Sequence, residues 1–122
     1  MDGQYWLDAD GARAVIRMNA YERLAKALEP LGIKASNMFG MPTLKLGKKP
    51  ICGQWGEAIN FRLVPGSEPY KLALGLKGSA VFAPVMKNGR VMKMKNWVVV
   101  PFEHEAHFLD LATASIQLVE KS

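Results

Sequence analysis

Residue types able to do chemistry are few in this chain, and their spacing fits no known catalytic pattern. The one cysteine, Cys52, stands in "PICGQW". A thiol becomes a nucleophile when a base or a positive field lowers its pKa. This stretch carries no second cysteine and no cysteine-protease or thioredoxin-like signature, so Cys52 reads as a buried or half-buried thiol. "EHEAH" sets His104 and His107 three apart, with Glu103 four before His107, a spacing that could bring them to one helical face and a metal. Zincins need histidines four apart and a further ligand; here Glu103 and Glu105 read as acids at the positive end of the last helix. "LGKKP" lacks the glycine run and the hydroxyl residue after lysine that a phosphate loop requires, so it reads as a turn. "GQWG" and "GLKG" match the Gly-x-x-Gly of KH domains by letters only. No catalytic residue, metal site or cofactor is expected.

Two looser groups remain. The chain has seven methionines; Met38, Met41, Met86, Met92 and Met94 could line an adaptable binding surface, although methionine also fills irregular cores, and the core reading is preferred. The cations Lys45, Lys48, Lys49, Lys87, Arg90, Lys93 and Lys95 cluster on hairpins and could contact phosphates or an acidic partner. Lysines on strand edges also discourage sheet-to-sheet pairing, and that reading is modestly favoured.

The elements that would position these residues follow from periodicity. With 122 residues, 49% of them hydrophobic and 22% charged, the chain suits a single globular domain. No apolar run approaches the roughly 18 to 20 residues of a membrane span, and the longest, "SAVFAPVM" and "WVVVPF", both contain proline. With a lone cysteine and no secretory leader pattern, a reducing cytoplasm is the expected compartment. The net charge of +5 and pI near 9.5 hint at acidic partners without fixing one. Ala14, Met18, Tyr21, Ala25 and Leu28 form one helical stripe between Asp10 and Leu31. Asp10 could cap it, or Asn19 could cap a shorter helix from Ala20; Pro30 and Gly32 end it. Residues 1 to 9, with Tyr5, Trp6 and Leu7, form a lead-in that either packs on the body or is loose. Strand-like runs follow, with turns at Gly47-Lys48 and Gly56-Glu57. Ser67 caps a short second helix carrying Pro69 in its first turn. "SAVFAPV", the "MKNGR" turn and "VMKMKNWVVVP" add further sheet, and the apolar residues from Phe102 to Glu120 cover a broad helical face. The reading is α+β: an N-terminal helix, an antiparallel sheet of about five strands with a short inserted helix, and a C-terminal helix on the sheet.

In "NMFG", "LGKKPICG", "INFRLV" and "MKNWVVVP", the chain resembles the TfoX N-terminal domain family from about residue 19 onward. Met38, Phe39 and Gly40 match the family's Met-Phe-Gly; Gly47 and Lys48 its Gly-Lys turn; Arg62 and Leu63 its Arg-Leu strand end; Met94, Lys95, Trp97 and Pro101 its late strand. Met41 and the Lys49-Pro50 pair depart from the usual pattern. The resemblance implies the same α+β fold, with Phe39 anchored in the core at a corner between the first strands and Gly40 supplying a geometry other residues avoid. Relatives with a second domain regulate natural competence with the transcription machinery, whereas single-domain members generally have no established activity.

The expectation is thus a non-catalytic interaction domain, accessory to competence-type transcriptional control. If the stripe of Leu109, Ala112 and Ile116 faces the sheet, then Phe108, Leu111, Ser115 and Leu118 face outward as a contact for a protein partner or a homodimer. An alternative is direct nucleic-acid binding through Lys48, Lys49, Arg90, Lys93 and Lys95, and a further one is a small-molecule or enzymatic site near Cys52, Trp55 and Arg62.

Overall fold

The computed structural model describes residues 18–38 and 40–121. The expected helical segment and lead-in before residue 18, and the anchoring role expected of Phe39, lie outside them. Helix α1 (Ala20–Leu28) begins where Asn19 and Glu22 exchange side-chain-to-backbone hydrogen bonds of 2.8 and 3.0 Å. This reciprocal cap satisfies two otherwise unpaired amides. A 3-10 turn over Glu29–Leu31 leads to Gly32, whose φ of 84° ends the helical course.

The strands are β1 (Ile33–Met38), β2 (Met41–Leu46), β3 (Lys49–Gln54) and β4 (Ala58–Arg62), followed by helix α2 (Glu68–Gly75), β5 (Ala80–Phe82) and β6 (Met94–Pro101). They form one antiparallel six-stranded sheet in the order β1-β2-β3-β4-β6-β5. The sixth strand exceeds the sequence expectation because the run around Ala80 and the run ending at Pro101 pair with each other as separate strands. Met38 pairs with Met41 across the first turn, and Gly40 there has φ 76°. The chain therefore reverses between Met38 and Met41. Ser67 caps α2 as expected, accepting from the Tyr70 amide at 3.3 Å.

Helices cover one sheet face. After a 3-10 segment at Phe102–His107, α3 (Phe108–Lys121) packs on β3 and β4, and α1 packs on β1 and α3. Register and side-chain alternation place Leu44, Cys52, Phe61 and Val98 in one row toward these helices. The β2–β3 register shifts so that Ile51 and Cys52 stand against the single residue Leu44. Such a bulge re-aims a strand locally, and both residues are fully buried. Phe108 meets Phe61 with ring centroids 5.4 Å apart and planes tilted by 59°, a favourable geometry for aromatic pairs.

The expected partner face on the last helix is corrected here. Phe108, Leu111 and Ser115 are sealed in the monomer core, Leu118 is half-buried, and Leu109 is the exposed one. Phe108, Leu111, Ala112, Ser115, Ile116 and Val119 make an ordinary core stripe of three- and four-residue steps. The breadth read as two-sided burial came from adding Leu109 and Leu118, which flank that stripe, to it. Ser115 is tolerated inside because its hydroxyl donates to the Arg62 carbonyl at 2.8 Å.

Candidate functional site

The other sheet face carries a different kind of chain. Between β5 and β6, residues 83–93 form a short arm: Val85 bridges Val91, the Met86 amide donates to the Arg90 carbonyl at 2.7 Å, and the Met92 amide donates to the Pro84 carbonyl at 2.9 Å. The turn closes through Gly89, at φ 84°, and through the Arg90 amide donating to Asn88 Oδ1 at 3.0 Å. Phe82 pairs with Met94 although Val81 pairs with Val98. This three-residue excess on β6 bends the sheet where the arm begins.

The bend brings Phe82 to Trp55, at the far end of β3, with ring centroids 4.9 Å apart and planes at 73°. Together with Met41, Pro84, Met86, Met92 and Met94 they line a hollow of about 230 Å³. Its floor is fixed: Met41 and Phe82 are each 8% exposed. Its rim is open, with Trp55 at 46%, Met86 at 41% and Met92 at 48%. The apolar surface continues onto Val85 and Val91, both well exposed. Four of the five methionines in the candidate surface group thus line the hollow; Met86 and Met92 are exposed, against the core reading, while Met41 is buried as that reading expects, and Met38, though paired with Met41 across the first turn, is not part of the lining. Sequence alone gave no means of bringing Met41 and Trp55 to the arm, because that contact depends on the register jump in β6.

On this same sheet face, pairing aligns Thr43, Gly53, Asn60, Val99 and Ala80 across five strands. Thr43 is buried and donates to the Met41 carbonyl at 2.9 Å. Asn60 is also buried, and its Oδ1 has no hydrogen-bond partner among the described residues. At Gly53 a Cβ would lie 2.9 Å from the Pro42 carbonyl oxygen and 3.2 Å from Met41 Cε. Gly53 therefore lets β2 and Met41 sit tightly against β3.

Of the predicted cationic residues, Lys48, Lys49, Lys87, Arg90, Lys93 and Lys95 are exposed and Lys45 is half-buried. Strand directions put Lys48 and Lys49, at the β2–β3 turn, at the same end of the sheet as Lys95, at the start of β6. Arg90 is in the arm's turn and Lys93 on its return. No acid occurs between Glu68 and Glu103, whereas Lys71, Lys77, Lys87, Arg90, Lys93 and Lys95 do.

The expected site near Cys52, Trp55 and Arg62 does not converge. Cys52 faces the helices while Trp55 and Arg62 belong to the opposite face. Burial pushes the Cys52 thiol far above its ordinary range, so the reactive thiolate is suppressed. Burial, with a smaller contribution from Cys52, pushes the Tyr21 hydroxyl up to about 12. His104 Nε2 lies 2.8 Å from the Lys77 carbonyl oxygen. His107 lines an open groove of about 520 Å³ between α2 and α3 that mixes Glu68, Lys71 and Asp110. Among the described residues no three His, Cys, Asp or Glu side chains gather as a metal site, and no helix is long and apolar enough to cross a membrane.

Comparison with family models, with curated proteins and with solved structures finds no match.

Proposed function

We propose that this chain is a non-catalytic interaction domain of the TfoX N-terminal type, and that it recruits a protein partner through the arm face of its sheet. One observation carries this reading: a methionine-lined hollow opens between the exposed apolar residues Met86 and Met92 of the arm and Trp55 at the far end of β3. Contiguous exposed apolar surface on a small domain marks an interaction site, and flexible thioether side chains suit a partner surface that must adapt. The resemblance to regulators of competence suggests that the partner belongs to transcriptional control.

The test is capture of partners from native lysate by the tagged chain in the presence of nuclease. Partners retained by the natural chain and lost by the Met86→Asp, Met92→Asp double variant support the reading; equal retention by the variant removes it. The shared sheet end of Lys48, Lys49 and Lys95 favours nucleic acid as a second reading. It predicts capture that disappears with nuclease, an affinity that falls steeply with salt, and loss of binding in the Lys93→Glu, Lys95→Glu variant.

A further inference from the structure

We infer that the hollow seats a single large apolar side chain, Phe, Trp or Leu, of a partner segment whose flanking residues are acidic. The inference rests on the interaction reading above and specifies the chemistry of its partner.

Size sets the first limit. A cavity of about 150 Å³ lined by aliphatic and aromatic residues takes up benzene, so 230 Å³ accommodates one large side chain. It falls below the roughly 300–1,000 Å³ typical of sites for cofactors and larger ligands. An anchor in a well-formed pocket, ringed by weaker contacts, is the usual energetic pattern of a protein interface. The hollow has that form, with a floor held by Met41 and Phe82 and a rim of Met86, Met92 and Trp55 that can close on the anchor.

Charge sets the second limit. Lys87, Arg90, Lys93 and Lys95 lie in or beside the arm, and the sequence from 69 to 102 holds no compensating acid. Acidic residues flanking the anchor would be drawn to this rim, whereas basic ones would be repelled. Nucleic acid meets the same charges but fits the hollow poorly. Strand binding uses successive aromatic platforms, and among the described residues Trp55 is the one aromatic ring at the open rim, with Phe82 buried beneath it.

The test uses the full chain as target for a phage-displayed library of random peptides about a dozen residues long, with the Met92→Asp chain as counter-target. Met92 is half-exposed, so this variant leaves the fold in place, and Arg90→Glu provides a second variant that leaves the hollow intact. The expected consensus is one large apolar residue flanked by Asp or Glu. A labelled consensus peptide should bind the natural chain in fluorescence anisotropy and shift the Trp55 emission. Replacing its anchor by alanine should weaken it roughly tenfold or more, Arg90→Glu should weaken it severalfold, and Met92→Asp should abolish binding. A consensus without an apolar anchor, one with basic flanks, no enrichment at all, or displacement by an oligothymidine of equal affinity each overturns the inference. If lysate partners depend on Met86 and Met92 while the library yields no such consensus, the surface stands and the anchor chemistry is wrong. If the partners are indifferent to those residues, the interaction reading itself has failed.

Discussion

On the helix side of the sheet, Leu44, Cys52, Phe61 and Val98 stand in one row across four strands, none of them more than 1% exposed. One residue earlier or later on the same strands, the arm side presents Thr43, Gly53, Asn60 and Val99. The strands are shared, so propensity cannot account for the difference; what lies above each face does. Two helices bring large fixed side chains to the first row and exclude solvent. A short arm brings methionines over the second, above small and polar residues, and leaves a hollow. One face supplies a well-packed core with a single arrangement, and the other supplies surface that can rearrange without disturbing it.

The largest expected effect tests whether the helix face is the stabilising one. Phe108→Ala deletes a ring packed on Phe61 and Phe102 and should cost about 3–5 kcal/mol of unfolding free energy, read from the denaturant midpoint. A loss below about 1 kcal/mol would mean that the core collapses around the gap and that the two faces differ less than their packing suggests.

Gly53→Ala probes the boundary between the faces. The new methyl meets a backbone oxygen at 2.9 Å, so the strand must shift, at a cost of about 1–3 kcal/mol. The shift would also disturb Met41, and the hollow with it. The expected outcome is a lowered melting temperature together with altered Trp55 fluorescence; a changed melting temperature with unchanged fluorescence would uncouple Gly53 from the arm.

Met86→Asp with Met92→Asp should move stability by no more than about 0.5 kcal/mol each, as exposed substitutions usually do, while removing partner binding. A cost as large as that of Phe108→Ala would make the arm part of the core and undo the comparison.

The two faces also differ in what could be read from sequence. Capping by Asn19 and Ser67, the glycine turns and the three- and four-residue steps of the helices are local, and local signals specify element type well. The choice of which stripe of the last helix turns inward was not local. Leu109 is as apolar as Leu111, and Ser115 looks like a surface residue until the Arg62 carbonyl opposite it is known. The hollow was less legible still. Its lining joins residues from 41 to 94, brought together by a register jump that no composition or period announces.

The smallest effect concerns a link on the helix side that lies outside the core. Arg23 on α1 holds Glu105 through two hydrogen bonds, Nε to Oε2 at 2.6 Å and Nη2 to Oε1 at 2.8 Å, and Arg23 also donates to the Met18 carbonyl. The hydrogen bonds from Arg23, with its charge as a lesser cause, hold the Glu105 carboxyl below its ordinary value. A carboxyl whose pKa is lower in the folded state adds stability above its unfolded pKa of roughly 4.3, and that contribution fades as pH falls through the folded value. Both side chains are more than a third exposed, so solvent screens the pair and its worth is about 0.5 kcal/mol or less. Glu105→Gln should therefore lower stability by a few tenths of a kcal/mol at neutral pH, and the difference from the natural chain should vanish in acid and shrink in high salt. A difference that persists in acid would assign Glu105 a packing role beneath the pair. The helix face would then reach past its core stripe, and its edge would no longer be the screened, adjustable margin that the exposed pair suggests.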